Sequence, residues 1–127
     1  MIDELMQREN YVLAKKLLDV AHARQQALAS NLSNVETPGY KRQDIQTDFE
    51  AQLQRLAGSN DVEGIRDFQV KTITDIASPS VRPDGNNVQI DQELLAMQKN
   101  AIQYEFLTQY TSNSLKQLKT AITGHVS

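Results

Sequence analysis

The chain has 127 residues, 39% of them hydrophobic, with three Phe, four Tyr and no Trp. This is one domain's length with few large apolar side chains to close a self-sufficient core, so burial completed by neighbouring chains is expected. A net charge of -3 gives no electrostatic footprint for nucleic acid, and the absence of Cys excludes disulfides, thiolate metal sites and cysteine nucleophiles.

The first ten residues lack a basic segment followed by an apolar core, so no cleaved secretory signal is expected. No apolar run approaches the ~20 residues needed to span a bilayer. From Tyr11, the positions Ala14, Leu18, Ala21, Gln25, Leu28, Leu32 and Val35 follow in alternating steps of three and four. That spacing predicts a helix over residues 10–36 with a coiled-coil seam, because 3.5 residues per turn keeps one edge against a partner. Its many Ala residues allow close helix approach, and an amphipathic core helix gives the same pattern.

Asn31, Ser33 and Asn34 carry short polar side chains that compete for backbone hydrogen bonds, so the helix should end there. Pro38 disfavours helical geometry at Thr37, and Pro38-Gly39 fits the centre of a type II turn with Gly39 at positive φ. Tyr40 follows, then Lys41 and Arg42, too short a basic patch to bind phosphate. Residues 37–89 are irregular. Thr47 and Glu50 have capping-box spacing, and Phe49, Leu53 and Leu56 predict a short helix ended by Gly58. Phe68 to Thr72 alternates like a half-buried strand, and Ser78 to Asn87 reads as surface turns.

Residues 90–123 carry the clearest periodicity: Ile90, Leu94, Met97, Ala101, Tyr104, Thr108, Thr111, Leu115, Leu118 and Ile122 hold the seam pattern across ten positions. Asp91 is the expected N-cap, with Glu93 in the first turn and Gly124 as the stop. Such a helix is ~50 Å long against ~36 Å for a compact sphere of this chain, so an elongated molecule is expected. A second stripe, Leu95, Ile102, Phe106 and Tyr110, lies beside the seam. Added width of this kind points to contact on two sides and a second subunit.

No constellation for catalysis, a cofactor or a metal is present. His22 and His125 lie in no ligand or nucleophile motif, and Asp84, Asn86 and Asp91 lack the glycine and terminal glutamate of a calcium loop. The chain is therefore expected to be no enzyme.

Asn31-Leu32-Ser33-Asn34 followed by Thr37-Pro38-Gly39-Tyr40-Lys41 resembles the N-terminal signature of bacterial flagellar rod and hook proteins. Asp84-Gly85-Asn86-Asn87-Val88, then Asp91 with Glu93, Asn100, Tyr104 and the Leu-rich ending through Ala121-Ile122, resemble the basal-body rod members of that family. The resemblance implies a mainly α fold in which the two terminal helices form an antiparallel coiled coil, one structural domain with the middle region outside it. It also implies a structural subunit that self-assembles through those helices into the tubular proximal rod, transmits torque and encloses the export channel. Its partners would be other rod proteins and the membrane-ring and export-gate base. Export would use the flagellar type III route. Asn31, Asn34, Thr37, Pro38, Gly39 and Tyr40 would then serve at subunit contacts, and Phe49 with Leu53 resembles an export-gate signal. Read from the residues alone, a soluble helical adaptor or secretion chaperone binding a partner through its long helices is the alternative.

Overall fold

A computed structural model describes residues 2–80 and 82–123. Two long helices dominate it: α1 (Ile2–Ser33) and α4 (Ile90–Thr123), joined through β1 (Gln43–Ile45), α2 (Phe49–Gly58), α3 (Val62–Asp67) and β2 (Thr72–Thr74). The fold is mainly α with a minor two-stranded sheet, as the sequence predicts. The first helix begins well before the expected residue 10 and ends at Ser33.

Its ending follows from side-chain chemistry. Ser33 Oγ donates to Ala29 O at 2.9 Å and Asn34 Nδ2 to Ser30 O at 2.9 Å, so short polar groups engage the carbonyls of the last turn. Thr37 N then bonds Asn34 O at 3.0 Å, and Tyr40 N bonds Thr37 O at 3.2 Å across Pro38-Gly39. Gly39 sits at φ +74°, which is the type II geometry expected of this pair.

The middle region folds onto one side of α1. β1 and β2 pair antiparallel, Gln43 opposite Thr74 and Ile45 opposite Thr72. β2 thus begins at the last residue of the alternating Phe68 to Thr72 tract, while Phe68 and Val70 pack partly buried against the core. That core joins Val20 of α1, Ile45 of β1, and Phe49 and Leu53 of α2. Each such side chain contributes roughly 1.5–3 kcal/mol when fully buried. The Thr47/Glu50 capping box does not form. Asp48 is the N-cap and makes no side-chain cap bond, because its carboxylate accepts from Gln46 Nε2 at 3.2 Å and Gln52 Nε2 at 2.6 Å. In α3, Asp61 caps Gly64 N at 2.8 Å, and Lys16 of α1 donates to the carbonyls of Arg66 and Phe68 near the other end. A cation placed there complements the helix's negative end.

α1 and α4 run antiparallel, since Asn31 meets Glu93 while Ala21 and Gln25 meet Asn100. Asp91 lies inside the first turn of α4 with Glu93, one residue past the helix start, and so is not the N-cap.

Candidate functional site

The residues of the proline-glycine signature and those preceding α4 converge in space on one buried polar clasp. Asn31 is its centre, at 0% exposure. Its Nδ2 donates to Gln43 O at 2.9 Å and to Glu93 Oε2 at 3.1 Å; its Oδ1 accepts from Gln43 N at 2.7 Å and from Tyr40 OH at 3.1 Å. The amide therefore pairs with the backbone of β1 as a neighbouring strand would, and every donor and acceptor is used. One helical side chain thereby fixes the strand, the tyrosine after the turn and the start of α4.

Arg42 supplies the charge that Glu93 requires. Its Nε donates to Glu93 Oε1 at 2.7 Å, and its Nη1 reaches Asp75 at 2.6 Å and Asp44 at 3.1 Å. Burial works against the charged guanidinium, but the bonds to Glu93, Asp75 and Asp44 outweigh it and hold Arg42 above the ordinary arginine value. Asp75 is held down to about 2, first by the Ser78 hydroxyl, against burial, and then by Arg42 and the backbone N–H groups of Ser78 and Ala77. A buried ion pair of this kind adds little net stability over apolar packing, but removing one partner costs about 3–5 kcal/mol.

Two asparagines close the clasp from the other side. Asn86 Nδ2 donates to the carbonyls of Asn34, Val35 and Thr37 at 2.9–3.1 Å, and Arg82 also bonds Val35 O, so the carbonyls of the turn that follows α1 find partners. Asn87 Oδ1 accepts from Arg42 N at 2.7 Å, and its Nδ2 donates to Asp75 O at 2.7 Å. Gly85, at φ +83°, passes close to Gly39, and its carbonyl accepts from Lys41 Nζ.

Among the turn residues, then, Asn31 is spent inside the chain and Tyr40 is half-buried with its hydroxyl on Asn31 and Ser30. Asn34 bonds locally to Ser30 and Thr37. Only Thr37, Pro38 and Gly39 form an exposed tip. The polar groups of Asn31 and Tyr40, both expected at subunit contacts, have partners within the chain.

On α1 the expected seam is partly inward, with Leu28 buried and Leu18 and Leu32 half-buried. On α4 the line buried against α1 is Glu93, Asn100 and Thr111, with Met97 half-buried beside it. Leu94, Tyr104 and Leu115, expected in that seam, stay roughly half exposed because polar side chains occupy the inward line. The side chains of Leu118 and Ile122 lie outside the described residues. Among the described residues, Asn100 Oδ1 and Thr111 Oγ1 are buried without a hydrogen-bond partner, while Asn100 Nδ2 donates to Ala21 O and Gln25 Oε1 of α1. Leu95, Ile102, Phe106 and Tyr110 are exposed, up to 68% at Ile102. Phe49 and Leu53 are the opposite case, core residues at 7% and 4% exposure.

Arg42, Gln43, Asp44 and Asp75 are clasp residues that sequence reasoning missed. Polar Asn31 on the inner side of an otherwise apolar helix was the available signal, since a buried amide requires a partner set. Among the described residues no cluster of His, Asp and Glu could hold a metal ion, and no helix is long and apolar enough to cross a membrane.

No protein-family model matches the chain. It is 31% identical over 128 residues to the flagellar basal body rod protein FlgB of Borrelia hermsii, a match covering 87% of this chain and 93% of that relative. Against the protein of the same name from Aquifex aeolicus it is 31% identical over 114 residues, covering 88% and 91%. The Bacillus subtilis counterpart is 28% identical over 117 residues, covering 84% and 88%.

Proposed function

The chain belongs to the FlgB family of flagellar basal body rod proteins, and from that premise we propose how it builds the rod: α1 and α4 of each copy pack with those of neighbours into a hollow tube, with residues 37–89 outside. It is a structural subunit of the basal body rod. In the proposed tube the helices carry torque along the axis and enclose the export path. Copies of this chain and other rod proteins are the lateral and distal partners. The membrane ring and export gate are the proximal ones.

The observation that supports this reading is the uncovered apolar surface of α4. Leu94, Leu95, Ile102, Phe106 and Leu115 are all at least 47% exposed. A monomer that kept them in water would forfeit burial worth about 1.5–3 kcal/mol for each such side chain. Helices with strong pattern and insufficient burial order fully only when neighbours arrive. The hydrogen-bonded clasp at the start of α4 and the exposed apolar side chains farther along it fit that sequence of events. The test is Ile102→Asp. It should leave the urea midpoint of the isolated chain unchanged and remove the chain from purified basal bodies; incorporation at the wild-type level would sink the proposal.

Secretion through the flagellar type III apparatus completes the proposal. Phe49 and Leu53 would then be read only in the unfolded chain, since folding seals both in the core. Unchanged secretion after Phe49→Ala with Leu53→Ala would place the signal elsewhere.

A further inference from the structure

We propose that Asp84-Gly85 is a covalent modification site gated by the clasp: isoaspartate forms there while the chain is unfolded, is suppressed once the clasp closes, and when already formed keeps the clasp from closing. The sequence singles the site out. Of the nine Asp residues only Asp84 precedes Gly, the others preceding Glu, Val, Ile, Phe or Gln, and no Asn precedes Gly. A glycine has no side chain to hinder its own N–H, so the Gly85 nitrogen is the one best able to attack the carboxyl before it.

In the reaction the Gly85 nitrogen bonds to Asp84 Cγ, its proton and the carboxyl hydroxyl leave as water, and a five-membered imide results. Water then adds at the former main-chain carbonyl, whose bond to nitrogen breaks. The chain now runs through Cγ, and the main-chain carbonyl has become a free carboxylate. Composition is unchanged, so water is the one co-reactant.

The folded chain restrains both reacting groups. Gly85 N donates to Arg82 O at 3.1 Å, while Asp84 Oδ1 accepts from Asn86 N at 3.0 Å and Oδ2 from Arg82 Nη2 at 3.2 Å. Gly85 is also pinned from outside the turn: its carbonyl accepts from Lys41 Nζ, and a Cβ placed on it would lie 3.9 Å from Gly39 Cα. Bond formation at Cγ breaks these contacts together, so it requires the turn to open.

The same geometry makes the product incompatible with the clasp. Routing the chain through Cγ lengthens it by one carbon, about 1.5 Å, immediately before Asn86. Asn86 is 1% exposed, and its side chain serves four main-chain groups, the carbonyls of Asn34, Val35 and Thr37 and the N–H of Val88. The new carboxylate would stand where the Asp84 carbonyl passes the Gly39 turn. Displacing Asn86 strands its partners, and stranded polar groups oppose closure. Where the chain is held unfolded for export, as proposed above, its competence to form the clasp falls with the time spent unfolded.

The test uses the purified full chain and is independent of the export route. The chain is kept in native buffer or in guanidinium chloride, and isoaspartate is counted by enzymatic methyl transfer and located by peptide mapping. Formation at Asp84 at least about tenfold faster in guanidinium is expected, the factor given by a turn that costs about 1.4 kcal/mol to open. The isoaspartyl chain, purified and returned to native buffer, should unfold at a urea midpoint about 1 M lower. Asp84→Glu, whose longer side chain closes a six-membered imide slowly, should remove the signal in guanidinium. Isoaspartate absent from Asp84 in guanidinium, or undiminished in Asp84→Glu, would overturn the site. Equal rates in the two solvents would overturn the gating, and an unchanged midpoint for the isoaspartyl chain would overturn its effect on the clasp.

Discussion

Replacing Asn31 by Asp tests the clasp more sharply than deleting the side chain. Asn31→Ala leaves the N–H and C=O of Gln43 without their partner and takes one of two donors from Glu93. At about 1–3 kcal/mol for each stranded backbone group, the loss is about 4 kcal/mol. Asn31→Asp is nearly isosteric and keeps both acceptor bonds, but it faces Gln43 O and the Glu93 carboxylate, 3.1 Å away, with an oxygen instead of an N–H. Two unit charges at that separation repel by about 5 kcal/mol at an effective dielectric of about 20. Protonating one carboxyl caps the penalty near 4 kcal/mol at pH 7, and the cap falls by about 1.4 kcal/mol for each pH unit of acidification. Adding the lost bond to Gln43 O, the Asp variant should be less stable than the Ala variant at pH 7 by about 2 kcal/mol, and the difference should vanish near pH 5. The sign follows from linkage: like charges raise the pair's folded-state pKa, so the penalty is present above that value and recedes as pH falls through it. Urea titration followed by circular dichroism reads this directly, since 2 kcal/mol shifts the midpoint by about 1 M at a slope of about 2 kcal/mol/M. A pH-independent Asp variant as stable as the Ala variant would refute the Asn31–Glu93 contact.

Asp75 carries its own acid limb. Its carboxyl sits at about 2 in the folded chain against an ordinary 3.8, so its contribution is complete above about pH 4 and is lost as pH falls towards 2; Asp75→Asn should flatten stability across that window. Leu53→Ala should cost about 2–5 kcal/mol by opening a cavity beneath Val20 and Phe49, measured by the same titration. Gly39→Val should lower assembly more than secretion, because a β-branched residue is strained at φ +74°, and normal motility would reduce the turn to a replaceable linker.

Periodicity made the two long helices legible, and backbone chemistry made the Pro38-Gly39 turn legible, because both follow from local rules. α2 was visible from Phe49, Leu53 and Gly58, although its cap was misplaced by one residue. The six-residue α3 and three-residue β1 were not visible, being too short to carry a period. The rotation of α4 was hidden for a different reason. An apolar stripe states that a surface wants cover without stating what covers it, and here the in-chain line is taken by Glu93, Asn100 and Thr111. The clasp was half legible: Asn31, Asn86, Asn87 and Glu93 stood out as residues, but no local pattern showed that Arg42 would draw Glu93, Asp75 and Asp44 together across distant parts of the chain.

Amide hydrogen exchange of α4, compared between the dilute isolated chain and purified basal bodies, addresses the claim that a clasp-anchored helix is completed by neighbours. The account predicts slow exchange at Gln43 and Val88 in both states, with residues 102–115 exchanging rapidly in the isolated chain and strongly protected in the rod. Equal protection of residues 102–115 in both states would contradict it.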